Sequence, residues 1–303
     1  MKKFLIVTSV TLLILFTILL IKNEYARTLP SSTYGMSQLI DAQSIDHLFI
    51  GSSMFRQGLS IYDLEDIFGS DTYILSYNGN QPALIAAELS YLLEQGVTIK
   101  HLYIDLYPYS AEQDPTISDT KILLDTDIDF KISILNLIGN EGWTRFIEFY
   151  EVFVTANNEE LLFYPLHSAL INQFYYKGGN LQVTTGSTIE VLDDLSLFSP
   201  TNQLQDEQIA GYESIIASAE KYNIELYFIE TPKYVRITED ATYQYLLQEC
   251  IDLLDDHHIP YVLAEELDFD ITNPDYFMDL IHLSSSGSVQ FTRLLCEWLL
   301  NII

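Results

Sequence analysis

The chain has 303 residues, 48% of them hydrophobic, which is enough to bury one sizeable core in one large domain or two small ones. Lys and Arg total 14 against 43 Asp and Glu, and the resulting net charge of −29 repels phosphate backbones and argues against nucleic acid as a partner. Cys and His show no metal-ligand spacing, so no metal or cofactor is expected, and the acidity reads as a solvated, self-repelling surface.

The first element is apolar. Phe4 to Ile21 reads FLIVTSVTLLILFTILLI without a charge, a length that nearly crosses a hydrocarbon layer of roughly 30 Å. It exceeds the apolar region of about 7–15 residues found in a cleaved signal peptide, and Lys22 to Arg27 offers no small-x-small cleavage site. Residues 1–24 are therefore expected to be an uncleaved transmembrane anchor and 25–40 a polar tether. Lys2 and Lys3 favour a cytoplasmic N-terminus, although Lys22 and Arg27 on the far side weaken that asymmetry. The expectation is a single-pass protein of the cell membrane whose remaining domain, 41–303, is extracytoplasmic.

Within that domain, strand and helix alternate. His47–Ile50 is a short apolar run stopped by Gly51, and Thr72–Tyr77 forms a second strand after a short helix around Tyr62–Phe68. Asn78-Gly79-Asn80-Gln81-Pro82 is turn chemistry, with Pro82 placed to start a helix that ends near Gln95 and Gly96. Lys100–Leu106 is a third strand, Ile224–Glu230 a fourth and Pro260–Leu263 a fifth. Helices are expected at Glu207–Tyr222, Ala241–Asp256 and Ser286–Asn301. Five strands separated by helices imply an α/β fold, a doubly wound parallel sheet in a three-layer sandwich, because parallel strands need crossovers. In such sheets reactive groups gather beyond the carboxyl ends of the strands.

Between about 110 and 204 the alternation fails, and runs such as DFKISILNLIG and WTRFIEFYEVF predict a largely helical insertion. Its aromatic section, Phe163 to Tyr176 followed by Gly178-Gly179, suits an amphipathic core or a lid that stacks on sugars. Cys250 and Cys296 sit in apolar helical runs and are read as core.

Two short motifs carry chemistry. Gly51-Ser52-Ser53-Met54 follows the first strand, where a tight turn into a helix exposes a hydroxyl and backbone N–H groups. Met278-Asp279-Leu280-Ile281-His282-Leu283 precedes the last helix. An Asp three residues before a His supplies both a proton acceptor and the carboxylate that orients it. His47 and His101 start strands, at the wrong end of the sheet for catalysis, and His257 and His258 follow a helix. His167, in the insertion, is expected to be structural. Arg56 and Lys233, both near the productive edge, are weaker candidates for substrate contact.

The pairing of a Ser turn after the first strand with a late Asp-x-x-His resembles the SGNH, or GDSL-type, hydrolase superfamily. The resemblance covers roughly Ile45 to Asn301. It implies Ser53 as nucleophile with Asp279 and His282, and it places Ser52 where the family has Asp. It maps the family's second glycine to Gly79, so that the N–H groups of Ser53 and Gly79 would bind an oxyanion. The family's Gly-x-Asn after the third strand is absent, since Asp105-Leu106-Tyr107-Pro108 stands there. Asn78 or Asn80 are the substitutes considered, Asn80 being the one retained as an oxyanion residue.

A Gly-Ser-Ser start with an N-terminal anchor also resembles the membrane-anchored branch of that superfamily, similar to D-alanyl transfer proteins and exopolysaccharide O-acyltransferases. The expected function is an extracytoplasmic serine esterase or O-acyltransferase on a cell-envelope glycan or polymer, working through an acyl-serine. The alternative is a non-catalytic accessory protein on this fold that binds a carrier, a polymer or a membrane-bound acyltransferase partner.

Overall fold

A computed structural model describes residues 2–27, 35–123, 126–139, 175–180 and 203–302. Helix α1, Lys2–Arg27, leaves large apolar side chains such as Phe4, Leu13 and Ile21 exposed. Among the described residues no helix is long and apolar enough to cross a membrane. The expected span runs through Leu19, whose side chain lies outside them. Part of the expected tether is ordered: α2, Met36–Ala42, buries Met36 and Leu39 against the core.

The sheet has five parallel strands in the order β2-β1-β3-β6-β7. They are β1 Ser44–Gly51, β2 Thr72–Ser76, β3 Thr98–Asp105, β6 Glu225–Ile229 and β7 Tyr261–Val262. All five expected strands are present, the last shortened to two residues. In β1 and β3 burial alternates for the first residues and is then continuous, from His47 to Gly51 and from His101 to Asp105. That is the pattern of a central strand whose far half is covered on both faces.

Helices α3 Ser53–Gly58, α4 Ile61–Phe68 and α10 Ser285–Leu300 form one packed group. The second group is α5 Pro82–Glu94, α7 Asp206–Tyr222 and α6 Ile128–Ile138, with α6 resting on α5. Two further helices, α8 Val235–Thr238 and α9 Ala241–Asp256, lie between β6 and β7 in sequence. Local chemistry fixes several ends. Pro82 opens α5, and Gly96, at φ +85, stops it by donating its N–H to Leu93 O. Asp240 caps α9 by accepting the N–H groups of Thr242 and Tyr243 at 3.0 Å. The chain leaves β1 for β2 at one edge and returns to β3 on the other side, so the switch point falls at the carboxyl ends of β1 and β3.

Of the expected insertion, residues 140–174 and 181–202 lie outside the described residues, among them His167 and the aromatic run from Phe163 to Phe174. Its described parts grip the domain. Thr116 donates its N–H to Gln81 Oε1 at 2.8 Å, and Asp119 accepts the N–H of Asn78 at 3.2 Å. A hairpin of β4 Tyr175–Tyr176 and β5 Gly179–Asn180 turns at Lys177 and Gly178, with φ +46 and +82, and Ile74 of β2 donates its N–H to Lys177 O at 2.9 Å. His47 and His101, opposite each other on β1 and β3, are buried and stack at 4.6 Å. Cys250 and Cys296 are free and buried.

Candidate active site

The site begins where β1 ends. A Cβ on Gly51 would lie 2.4 Å from Asp105 Cβ, so only glycine lets this strand end close on β3. Ser52 leaves the strand in an extended conformation and caps α3, its Oγ accepting the Met54 N–H at 3.1 Å. Ser53, the first residue of α3, is half-buried, and its Oγ lies 2.8 Å from His282 Nε2.

His282 is presented by a narrow turn. Phe277 and Leu283 pair across it, and Met278 donates its N–H to His282 O at 2.9 Å. Asp279 Oδ1 accepts the N–H groups of Ile281 at 2.9 Å and His282 at 2.8 Å, while Oδ2 lies 2.8 Å from His282 Nδ1. One carboxylate thus folds the turn and orients the ring. Burial opposes its charge, but His282's hydrogen bond and charge and the two N–H groups hold Asp279 below the usual carboxylate range. With Asp279 ionised, Nδ1 carries the ring proton and donates it. Nε2 is left to accept the Ser53 hydroxyl proton.

Two anchors hold the turn against the domain. Tyr234, beyond β6, donates its N–H to Leu280 O at 3.0 Å. Ser284 caps α10 by accepting the Gly287 N–H and donates its hydroxyl to Asp275 O at 2.6 Å. The structure therefore brings Ser53, Asp279 and His282 together from opposite ends of the sequence, at the carboxyl edge of the sheet.

The neighbouring loop carries Gly79 and Asn80, of which Asn80 departs from expectation. Gly79 is exposed with φ +60, and a Cβ there would meet Ser118 at 2.8 Å, so both backbone and space demand glycine. Asn80 is 2% exposed and its amide is turned inward: Nδ2 donates to Glu88 Oε1 and Oε2 at 3.0 and 3.1 Å and approaches Gly51 O at 3.3 Å. That side chain is not aimed at an oxyanion. Burial holds the Glu88 carboxyl well above its ordinary range, which suits a neutral acid sharing Asn80's amide.

Arg56 and Lys233, the expected weak substrate contacts, are likewise engaged inside the protein. Arg56, 4% exposed, donates to Asn78 Oδ1 at 3.2 Å and to Ser76 O, and stands 3.7 Å from Asp119 Oδ2. It pins the loop that carries Gly79. Lys233 is fully buried and donates to Thr231 O at 2.7 Å. Position near the carboxyl edge suggested both, but each side chain points into the protein.

Two polar residues in the same region were given no role from the sequence. Asp105 ends β3 beneath Ser52, and Asp119 joins Arg56 to Asn78. The first had a signal, an acid closing an otherwise apolar strand, whereas the second lies in a stretch without periodicity. Among the described residues no group of His, Cys, Asp and Glu could hold a metal ion.

Fold and site together define an α/β protein with a Ser-His-Asp relay at the switch point of its parallel sheet. No family model matches the chain, and no curated protein does. Solved structures resemble it over most of its length. One, from Streptococcus pneumonia and provisionally described as a platelet activating factor, is 14% identical with a TM-score of 0.41, and the match covers 96% of this chain and 99% of that one. A second, from Bacteroides fragilis and provisionally described as an acylhydrolase, is 11% identical with a TM-score of 0.41, covering 92% and 94%. A GDSL-like lipase from Bacteroides thetaiotaomicron is 9% identical with a TM-score of 0.42, covering 87% and 90%. Likeness at this level says nothing of substrate or reaction.

Proposed function

We propose that the chain is an SGNH-type serine esterase or O-acyltransferase that forms an acyl-Ser53 intermediate. The observation that carries this reading is the continuous relay from Ser53 Oγ through the His282 ring to Asp279, with both contacts at 2.8 Å. As Ser53 Oγ attacks an ester carbonyl, its proton passes to His282 Nε2. The resulting imidazolium is stabilised by Asp279, and that proton then goes to the departing alcohol. In the second half, His282 takes a proton from water or a sugar hydroxyl, which attacks the acyl-Ser53 carbonyl, and returns that proton to Ser53 Oγ as the serine is released.

The N–H groups of Ser53 and Gly79 are the oxyanion donors in this reading. The Ser53 N–H opens a helix and so lacks an intrahelical acceptor, and Gly79 is exposed beside the same edge. With the Asn80 amide engaged elsewhere, the hole relies on backbone donors.

The proposed setting is the outer face of the cell membrane, with the acylated glycan or polymer of the envelope as substrate. The sequence of α1 supports it: the uncharged run from Phe4 to Ile21 nearly crosses a hydrocarbon layer of roughly 30 Å, and its described side chains such as Phe4, Leu13 and Ile21 are exposed. In the transferase form, a membrane-bound acyltransferase would be the partner supplying acyl groups. Labelling of engineered cysteines in the domain by an impermeant maleimide on intact cells tests the topology.

A fluorophosphonate probe tests the chemistry. It is expected to label the wild-type chain and to leave the folded Ser53→Ala and His282→Ala variants unlabelled. A folded wild-type chain that resists the probe would overturn the covalent mechanism and favour an accessory protein that binds a carrier or polymer.

A further inference from the structure

Beneath Ser53 lies a buried polar chain that the relay does not use. Ser52, 2% exposed, donates its hydroxyl to Asp105 Oδ2 at 2.6 Å, and its N–H reaches the same oxygen at 3.2 Å. The Ser52 Oγ also accepts the Met54 N–H, so one hydroxyl ties Asp105 to the first turn of α3. Asp105 is 4% exposed, and the close approach of Gly51 to its Cβ presses the strand end against it.

A helix cap needs only the Ser52 hydroxyl and the Met54 N–H. The second bond, from the Ser52 N–H to Asp105, fixes the peptide between Gly51 and Ser52 and so sets the direction in which α3 starts. Asp105 Oδ1 is buried without a hydrogen-bond partner among the described residues. An uncompensated buried oxygen is unfavourable for folding, which calls for a role beyond stability.

The interior also holds an unusual cation. The Lys233 ammonium is fully buried, 3.6 Å from Glu230 Oε1 and 5.3 and 5.5 Å from the ring centres of Tyr243 and Tyr107. Burial raises the Asp105 carboxyl, opposed by the Ser52 hydrogen bond and the Lys233 charge. Burial lowers the Lys233 ammonium, opposed by Glu230 and Asp105.

We propose that Asp105 is a positioning residue for Ser53: through Ser52 it holds the turn so that Ser53 Oγ meets His282. This rests on Ser53 being the nucleophile. Removing Asp105 lets the Gly51–Ser52 peptide rotate, and a shift of about 1 Å at Oγ suffices to lose about 100-fold in rate.

The test compares Asp105→Ala, Asp105→Asn and Ser52→Ala by the second-order rate of fluorophosphonate labelling at Ser53, by thermal unfolding and by crystal structures. Asp105→Ala is expected to label about 100-fold more slowly, Ser52→Ala to be slowed in the same way, and Asp105→Asn, which keeps an acceptor for Ser52, to return within about tenfold of wild type. In crystals of Asp105→Ala the Ser53 Oγ to His282 Nε2 contact should open while the His282 to Asp279 contact stays. A folded Asp105→Ala or Ser52→Ala chain that labels at the wild-type rate, even with lowered thermal stability, overturns the proposal. If Asp105→Ala does not fold, Ser52→Ala and Asp105→Asn decide by the same rates. If the wild type itself is unlabelled, the enzymatic reading fails, and the Ser53 to His282 distance in crystals of these variants alone decides the positioning.

Discussion

Asp279 divides its two oxygens between two tasks: Oδ1 accepts the Ile281 and His282 N–H groups, and Oδ2 meets the His282 ring at 2.8 Å. Asp279→Asn keeps an acceptor for the backbone if its Oδ1 stays in place, but it presents an amide to Nδ1 and so favours the wrong ring tautomer. The expected outcome is a fall of about 10⁴-fold in the labelling rate with little change in unfolding temperature. Labelling kinetics with parallel thermal melts check it, and a rate within tenfold of wild type would remove Asp279 from the relay.

His47 and His101 make stability depend on pH. Burial, then the charge of His101, pushes His47 down to about 4, and burial likewise lowers His101. Both folded values lie below the unfolded value near 6.5, so the unfolded chain binds more protons between them. Their contribution is complete above about 6.5 and is lost as pH falls toward 4, by at most about 3 kcal/mol for His47. Urea unfolding at pH 7.5 and 4.5 should show a larger acid loss for wild type than for His47→Gln. Equal losses would mean that the imidazole does not carry the effect.

Gly287, in the first turn of α10, is where the His282 turn rests on that helix. A Cβ there would fall 2.1 Å from Tyr276 O. Tyr276 O also accepts the Ser284 N–H at 2.9 Å, so the added methyl pushes on the base of the turn. Gly287→Ala is expected to destabilise by about 2–4 kcal/mol and to slow labelling at Ser53. Denaturant melts measure the first effect and probe kinetics the second.

Arg56 joins Ser76 O, Asn78 and Asp119 across the loop that carries Gly79. Arg56→Lys retains the charge but loses the planar fork that spans those acceptors. A loss of about 1–3 kcal/mol is expected, together with faster amide exchange at residues 78–80. Hydrogen exchange read residue by residue tests this, and unchanged protection there would show that the loop is held by other contacts.

The sequence made the sheet legible because β1 and β3 each carry a short apolar run in the far half, Leu48–Ile50 and Leu102–Ile104, closed by Gly51 and by a turn, a signal that local pattern alone supplies. The relay was legible in its two halves, and their assembly was implied by the resemblance of the paired motifs to the SGNH superfamily, with the strand-end rule showing where to look. What stayed hidden depends on direction and distance. Nothing in Asn78-Gly79-Asn80 shows that Asn80 turns inward to Glu88, eight residues later on α5. Lys233 and Arg56 look like surface cations in one dimension, and only the packed fold shows their acceptors inside. The segment of the expected tether that becomes α2 was obscured by its brevity, since seven residues carry too little periodicity to announce a helix.

The turn at Lys177 and Gly178 has a further implication for the chain's solubility. Strand β2 is an outer strand of the sheet, and the Lys177 carbonyl occupies the Ile74 N–H on its open side, with a Cβ at Gly178 excluded by Ile74 O at 1.7 Å. The opposite margin, β7, has only two residues and presents little template. The insertion thus serves as a guard rail: trimming it to obtain a minimal domain would uncover a strand edge that a neighbouring molecule could extend.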